Sequence, residues 1–308
     1  MSMIVGVDNG NSNTKTQNFC FVSGLAEHSV KPPMTDEVLE YDGKYWTLTG
    51  KRLSYMRDKT RDERCFVLTL FAIAKELEAN GRYTPVEMID LAVGLPPEHF
   101  GVLKEKFAQY FKREGVIKFV YKDKAYSIVI SSVNVFPQAY AAVIPRSDLV
   151  VRTSSMFVVD IGGYTTDVLL LRNGKLDPQY CRSLETGIIT MNNEIVRKVG
   201  ALHDMLIEDE HIRLVLANEE TILPEEVKET IRNATRQHAK DILDQLRELQ
   251  VDLRSNPAVF TGGGSILLRP FLENSPLVAK ADFIESPNAN AQGYVMLARG
   301  QLARQALR

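Results

Sequence analysis

The chain has 308 residues, 44% of them hydrophobic and 25% charged, a globular composition long enough for two domains with a core each. Thirty-seven Lys and Arg against 39 Asp and Glu leave a formal charge of −2, so no overall basic field points to direct nucleic-acid binding. No run approaches the ~20 apolar residues of a membrane helix. Asp8 falls where a secretory signal would be basic or apolar, and Cys20, Cys65 and Cys181 lack the spacing of a disulfide or zinc framework. The expectation is a cytoplasmic protein with no membrane contact.

In chain order, residues 4–7 read as an apolar strand running into Asp8-Asn9-Gly10-Asn11-Ser12-Asn13-Thr14-Lys15: an acid, a small polar turn, then a second extended run. Residues 41–48 read as a small hairpin. Phe66, Leu70, Ile73 and Leu77 recur at helical spacing, and Asn80-Gly81 supplies the stop. Strands are expected at 91–94 and 127–130. Residues 156–159 then form an apolar strand entering Asp160-Ile161-Gly162-Gly163-Tyr164-Thr165-Thr166-Asp167. Residues 168–171 are apolar throughout, as in a sheet covered on both faces. Asn173-Gly174 marks a hairpin turn, and a further strand lies near 179–181. From about 185 to 250 the pattern is helical. Val227, Ile231, Ala234, Ile242, Leu246 and Leu249 make one stripe, with Pro224 at the first turn. Residues 258–261 form a last strand ending in Gly262-Gly263-Gly264-Ser265, followed by a helix.

Asp8 and Asp160 each follow a four-residue apolar strand and precede a glycine and hydroxyl turn, about half the chain apart, as an internal duplication would leave them. Such turns aim several backbone N–H groups at one point, a nest suited to phosphate oxygens. Gly10, Asn11, Ser12, Asn13, Gly162, Gly163, Thr165 and Thr166 are the candidate phosphate contacts, with Lys15 as a point charge. An Asp beside phosphate makes sense with a cation between, so Asp8 and Asp160 are candidate outer partners of a hydrated Mg²⁺. Taken singly, either turn could be plain hairpin geometry. The glycines at 262–264 mark close approach by a flat ligand such as an adenine or ribose, or else a flexible connection. Neither G-x-x-x-x-G-K-[ST] nor G-x-G-x-x-G is present.

These three motifs, in this order, resemble the superfamily of actin, DnaK-type chaperones and sugar kinases. Residues 8–15 look like its first phosphate loop, 160–167 its second and 261–265 its adenosine motif. Residues 135–142 and 288–294 resemble its two connecting helices. Within it, Asp8, Gly10, Ser12, Asn13 and Lys15 fit the first loop of the bacterial ParM/StbA plasmid-segregation group. The resemblance implies an actin-like (ribonuclease H-like) two-domain α/β fold, with duplicated mixed five-stranded sheets and a nucleotide cleft between them. The domains expected are 1–155 plus 290–308, with a small insertion at about 33–85, and 156–289, with a helical insertion at about 185–255. It also implies an ATP hydrolase that polymerises with ATP and Mg²⁺, with GTP left open, and a ParR-type adaptor bound to centromere-like plasmid DNA. Gln138 takes the place of the residue that orients the attacking water, beside catalytic Asp8 and Asp160; the alternative is a glutamine in the first turn of a helix begun at Pro137. Glu185 and Asn193 fall where family members contact the nucleoside, beside Gly262, Gly263 and Gly264. A small-molecule kinase of the same fold and a cytoskeletal protein outside plasmid segregation are the alternative functions. A peptide-binding chaperone is excluded by the short stretch after Gly264.

Overall fold

The computed structural model describes residues 2–33, 35–54, 56, 58–151 and 153–306; Met1 and Arg308, the outer limits of the expected first domain, lie outside them. The chain divides into two compact units, Met1–Ser147 with Pro287–Arg308, and Asp148–Ser286.

Among the described residues the first unit has nine strands in one sheet: β1 (Met3–Asn9), β2 (Asn13–Thr16), β3 (Cys20–Val22), β4 (Leu25–His28), β5 (Val38–Tyr41), β6 (Lys44–Leu48), β7 (Glu87–Leu95), β8 (Ile117–Tyr121) and β9 (Lys124–Pro137). Their order is β3-β2-β1-β7-β9-β8-β5-β6-β4. β1 to β3 form an antiparallel meander, and β1, β7 and β9 run parallel. Between them lie α1 (Arg64–Ala79) and α2 (Pro97–Phe111); α3 (Tyr140–Val143) follows β9, and α4 (Ser147–Val151) is where the chain passes into the second unit.

The second unit contains β10 (Ser155–Ile161), β11 (Thr166–Arg172), β12 (Lys175–Leu184), α5 (Ile188–His203), α6 (Asp209–Leu216), α7 (Glu225–Glu248), β13 (Ala258–Thr261), α8 (Gly263–Glu273) and β14 (Ala281–Phe283). The chain then returns to the first unit in α9 (Ala289–Ala306). Its sheet order is β12-β11-β10-β13-β14. That is the connectivity of β3-β2-β1-β7-β9 over again, an antiparallel meander extended by two parallel strands, so the repeat read from two motifs extends to five strands of each sheet.

The second sheet has the expected five strands, whereas the first is enlarged. The hairpin anticipated at 41–48 is β5–β6, turning at Asp42 and Gly43, and it pairs into the same sheet. β9 runs 14 residues and offers β8 an antiparallel edge; β8 in turn pairs with β5, which brings β6 and β4 into the same sheet. Backbone groups along that edge are thereby satisfied instead of exposed.

Each unit has its own core. α1 is buried almost all round: Phe66, Val67, Leu70, Phe71, Ile73, Ala74 and Leu77 are all inaccessible, a wider face than the predicted stripe. Each large apolar side chain so enclosed contributes ~1.5–3 kcal/mol. The helix ends as expected, with Gly81 N–H donating to the Glu78 carbonyl and Arg82 N–H to that of Leu77. In the second unit Val158, Val159, Val168 and Leu169 are fully buried, which explains the unbroken apolar runs. α7 buries Val227, Ile231, His238, Ile242 and Leu246 along one face. Pro224 stands at the N-cap, one place before the helix instead of in its first turn. Pro137 likewise ends strand β9 and does not begin a helix.

Candidate phosphate and nucleoside site

Asp8 lies one residue from the end of β1, a central strand, and is 3% exposed. The strand ends there because Gly10 N–H turns back onto the Asp8 carbonyl (2.9 Å) before β2 begins. The turn is braced from outside. Ser23 Oγ donates to the Gly10 carbonyl (2.7 Å), and Ser23 N–H donates to that of Ser12 (3.0 Å). Lys59 Nζ donates to the Asn9 carbonyl. A trans peptide directs each N–H opposite to the preceding C=O. With the carbonyls of Gly10 and Ser12 engaged on Ser23, the N–H groups of Asn11 and Asn13 are directed away from it.

Three of the predicted site residues meet in the first unit. Gln138 Nε2 donates to Asp8 Oδ1 at 2.9 Å, and Lys15 Nζ stands 3.8 Å from Asp8 Oδ2. Lys15 and Asp8 are direct cross-strand partners in the β1–β2 register, so their side chains leave the same face. Gln138 arrives differently: it follows the last residue of β9 in a tight turn, its N–H bonded to the Leu95 carbonyl (2.8 Å). The alternative of a glutamine in a first helical turn does not hold.

In the second unit Asp160 lies one residue from the end of β10 and is 7% exposed. Its turn is braced by backbone. Gly187, Ile188 and Ile189, at the start of α5, donate to the carbonyls of Tyr164, Gly162 and Gly163 at 2.9, 3.1 and 2.8 Å. By the same peptide geometry the N–H groups of Gly163, Tyr164 and Thr165 are directed away from α5. Three successive amides so directed are candidate donors to an anion. Thr166 is wholly buried and donates its hydroxyl to the Thr186 carbonyl (3.2 Å); it therefore supports the loop from behind instead of facing a phosphate.

The glycine run joins this turn. Asp160 pairs with Thr261 in the β10–β13 register, and Gly262 follows with φ +86°. A Cβ there would strike the Asp160 carboxylate and the Ile161 carbonyl, so only glycine fits. Gly263 opens α8 and is exposed, with open space where a side chain would stand. Gly264 is buried against Ile161 and Ile188. Glu185 is exposed in the loop before α5, and Asn193 is exposed one turn into it.

Sequence reasoning missed the braces. Ser23 and Lys59 stand outside every motif, and a seryl and a lysyl bond to backbone carbonyls carry no pattern. His238, which belongs to no motif, is a core residue whose Nε2 donates to the Thr186 carbonyl (3.0 Å), beneath the loop that carries Glu185. Burial holds its pKa below the ordinary histidine value. Burial also pushes the Cys65 thiol, beside the first turn, up to about 12, which leaves it unreactive.

Among the described residues no three His, Cys, Asp or Glu side chains could close around a metal ion. Mg²⁺ keeps most of its waters and takes one or two carboxylates together with phosphate oxygens, so Asp8 and Asp160 are the candidate residues for it. No helix of the described residues is long and apolar enough to cross a membrane.

Residues 6–140 match the sequence profile of the N-terminal domain of actin-like proteins, and residues 158–274 that of the C-terminal domain of the MreB-like archaeal actin homologues. No match is found among curated proteins. Among solved structures the chain is similar to the archaeal actin homologue Ta0583 in complex with ADP, at 20% identity and TM-score 0.74, covering 96% of this chain and 99% of that one. It is also similar to Bacillus thuringiensis ParM with ATP, at 13% identity and TM-score 0.72, over 98% and 99% of the two chains. A third likeness is to the Alp12 filament, at 17% identity and TM-score 0.66, over 97% and 98%.

Proposed function

Because the chain belongs to the actin-like ATPase superfamily, we propose that it hydrolyses ATP and assembles into filaments with Mg·ATP, and that the filaments segregate plasmid DNA. A ParR-type adaptor on centromere-like DNA would link filament to cargo, with no direct contact between this chain and nucleic acid. The observation that carries the reading is the bond from Gln138 to Asp8, which joins the expected water-orienting amide to the expected phosphate-loop acid. The solved structures with ADP and ATP, and the Alp12 filament, support nucleotide use and self-association as properties of those proteins.

The roles follow from the chemistry of phosphoryl transfer, in which positioning and charge neutralisation matter more than covalent help. The turns at 10–13 and 162–165 offer N–H groups to the phosphates, with Lys15 adding a point charge. Asp8 and Asp160 would be the residues to hold Mg²⁺, which would supply charge neutralisation during phosphoryl transfer. Gly262, Gly263 and Gly264, with Glu185 and Asn193, receive the nucleoside. Gln138 orients a water without taking its proton, which suits slow hydrolysis. GTP in place of ATP is distinguished by direct competition.

Light scattering and phosphate release, measured together on the purified chain with Mg·ATP, test this. Scattering should rise above a threshold protein concentration. Gln138→Ala should still assemble while releasing phosphate roughly 10–100-fold more slowly. Absence of scattering at every concentration, with turnover only when a sugar is supplied, would replace this reading by the small-molecule kinase.

A further inference from the structure

We infer that Asn290 is a positioning residue for Gln138: its side-chain carbonyl holds the strained turn that aims the glutamine amide at Asp8. The inference rests on the hydrolytic role proposed for Gln138. Ala139, immediately after it, has φ +60° and ψ −50°, and Tyr140 N–H donates to the Gln138 carbonyl at 2.6 Å. That is a three-residue γ-turn of the sparsely populated hand, which a residue with a Cβ adopts only when its surroundings impose it. One anchor is the Gln138 N–H bond to Leu95. The other is Ala139 N–H, which donates to Asn290 Oδ1 at 2.9 Å across 151 positions of sequence. Ala139 has no solvent exposure, so without Asn290 that donor would be buried and unmet.

Asn290 is well placed to impose the turn. It is the second residue of α9, 8% exposed, on the first structure the chain forms after re-entering this unit at Pro287. α9 packs so closely on α3 that a Cβ at Gly293 would overlap the Ala141 carbonyl, leaving the helix no room to shift toward the turn. The same helix start grips the segment after β2, through Asn288 Nδ2 to the Phe19 carbonyl (3.4 Å) and Gln292 Nε2 to that of Gln17 (3.3 Å). Its amides thus meet backbone beside both groups that contact Asp8: the strand that carries Lys15 and the turn that carries Gln138.

The test uses Asn290→Ala and the double variant Asn290→Ala/Ala139→Gly in the full chain. Exchange of the Gln138 side-chain amide protons, followed by NMR without nucleotide, should quicken at least tenfold in Asn290→Ala. Glycine reaches φ +60° without strain, so the double variant should recover at least half of the lost protection. In ATPase assays kcat should fall about tenfold with KM for ATP within twofold, and the glycine should restore most of it. Unchanged protection of Gln138 in Asn290→Ala, or loss that the glycine does not repair, would overturn the inference. A wild-type chain without ATPase activity would overturn the hydrolytic reading alone, and the exchange comparison would still decide the role of Asn290.

Discussion

The two hairpins that carry Asp8 and Asp160 share a backbone plan and differ at one charged position. In β1–β2 Asp8 pairs with Lys15; at the same offset in β10–β11, Asp160 pairs with Asp167. Direct cross-strand partners leave the same face, so the first hairpin carries its own countercharge while the second sets two acids side by side. The first also has the Gln138 amide on its acid. Their bracing differs as well: Ser23 and Lys59 side chains hold the first turn, backbone amides of α5 the second. A duplicated fold has kept the turn and let the two copies take unlike chemistry. On the proposed role of Mg²⁺, the second copy, with two acids on one face, should depend on the cation more than the first.

Neutralising each acid in turn puts this asymmetry to its hardest test. Asp160→Asn should weaken Mg²⁺-dependent ATP turnover by roughly 100-fold and Asp8→Asn by roughly 10-fold. Phosphate release at saturating nucleotide, with affinity compared in Mg²⁺ and in chelator, measures both; equal losses would break the comparison.

The glycine that seats the second hairpin gives a smaller, structural effect. Gly262→Ala should cost roughly 2–3 kcal/mol, since φ is +86° and the new methyl meets Asp160 and Ile161. Gly43→Ala, at φ +71° with open space around it, should cost roughly 1 kcal/mol. Denaturant midpoints read both, and equal shifts would mean that backbone angle alone, without close approach, sets the requirement at Gly262.

The smallest effect concerns the bracing of the second site. His238 is neutral-favouring in the fold, because burial lowers its pKa. Below the ordinary value of about 6.5 the unfolded chain takes up the proton first. Its contribution to stability is therefore complete above that pH and lost as pH falls toward the depressed value. His238→Gln should flatten this part of the stability profile, and an unchanged slope would assign it to another group.

Much of the molecule was legible from spacing alone, and the gaps are physical. Alternation and turn residues located the hairpins at 42–43 and 173–174, and helical periodicity located α1 and α7, because those signals are local. The nine-stranded sheet was not legible, since the pairing of β8 with β5 joins segments far apart in the chain. Of the candidate site residues, Asp8, Lys15 and Gln138 meet in one unit, while Thr166 turned out to face its own loop. A hydroxyl can point either way from a strand end, and only packing decides.

By itself, then, the sequence determined two copies of a strand, an acid and a small-residue turn, together with the glycine run that must follow Thr261. Turn chemistry and side-chain periodicity act over a few residues and leave a readable trace. The tertiary structure alone decided which groups stand around those turns: Gln138 on Asp8 across 130 positions, Asn290 on Ala139, Ser23 and Lys59 behind the first loop. Such contacts depend on how distant segments close on one another, and spacing along the chain holds no record of that.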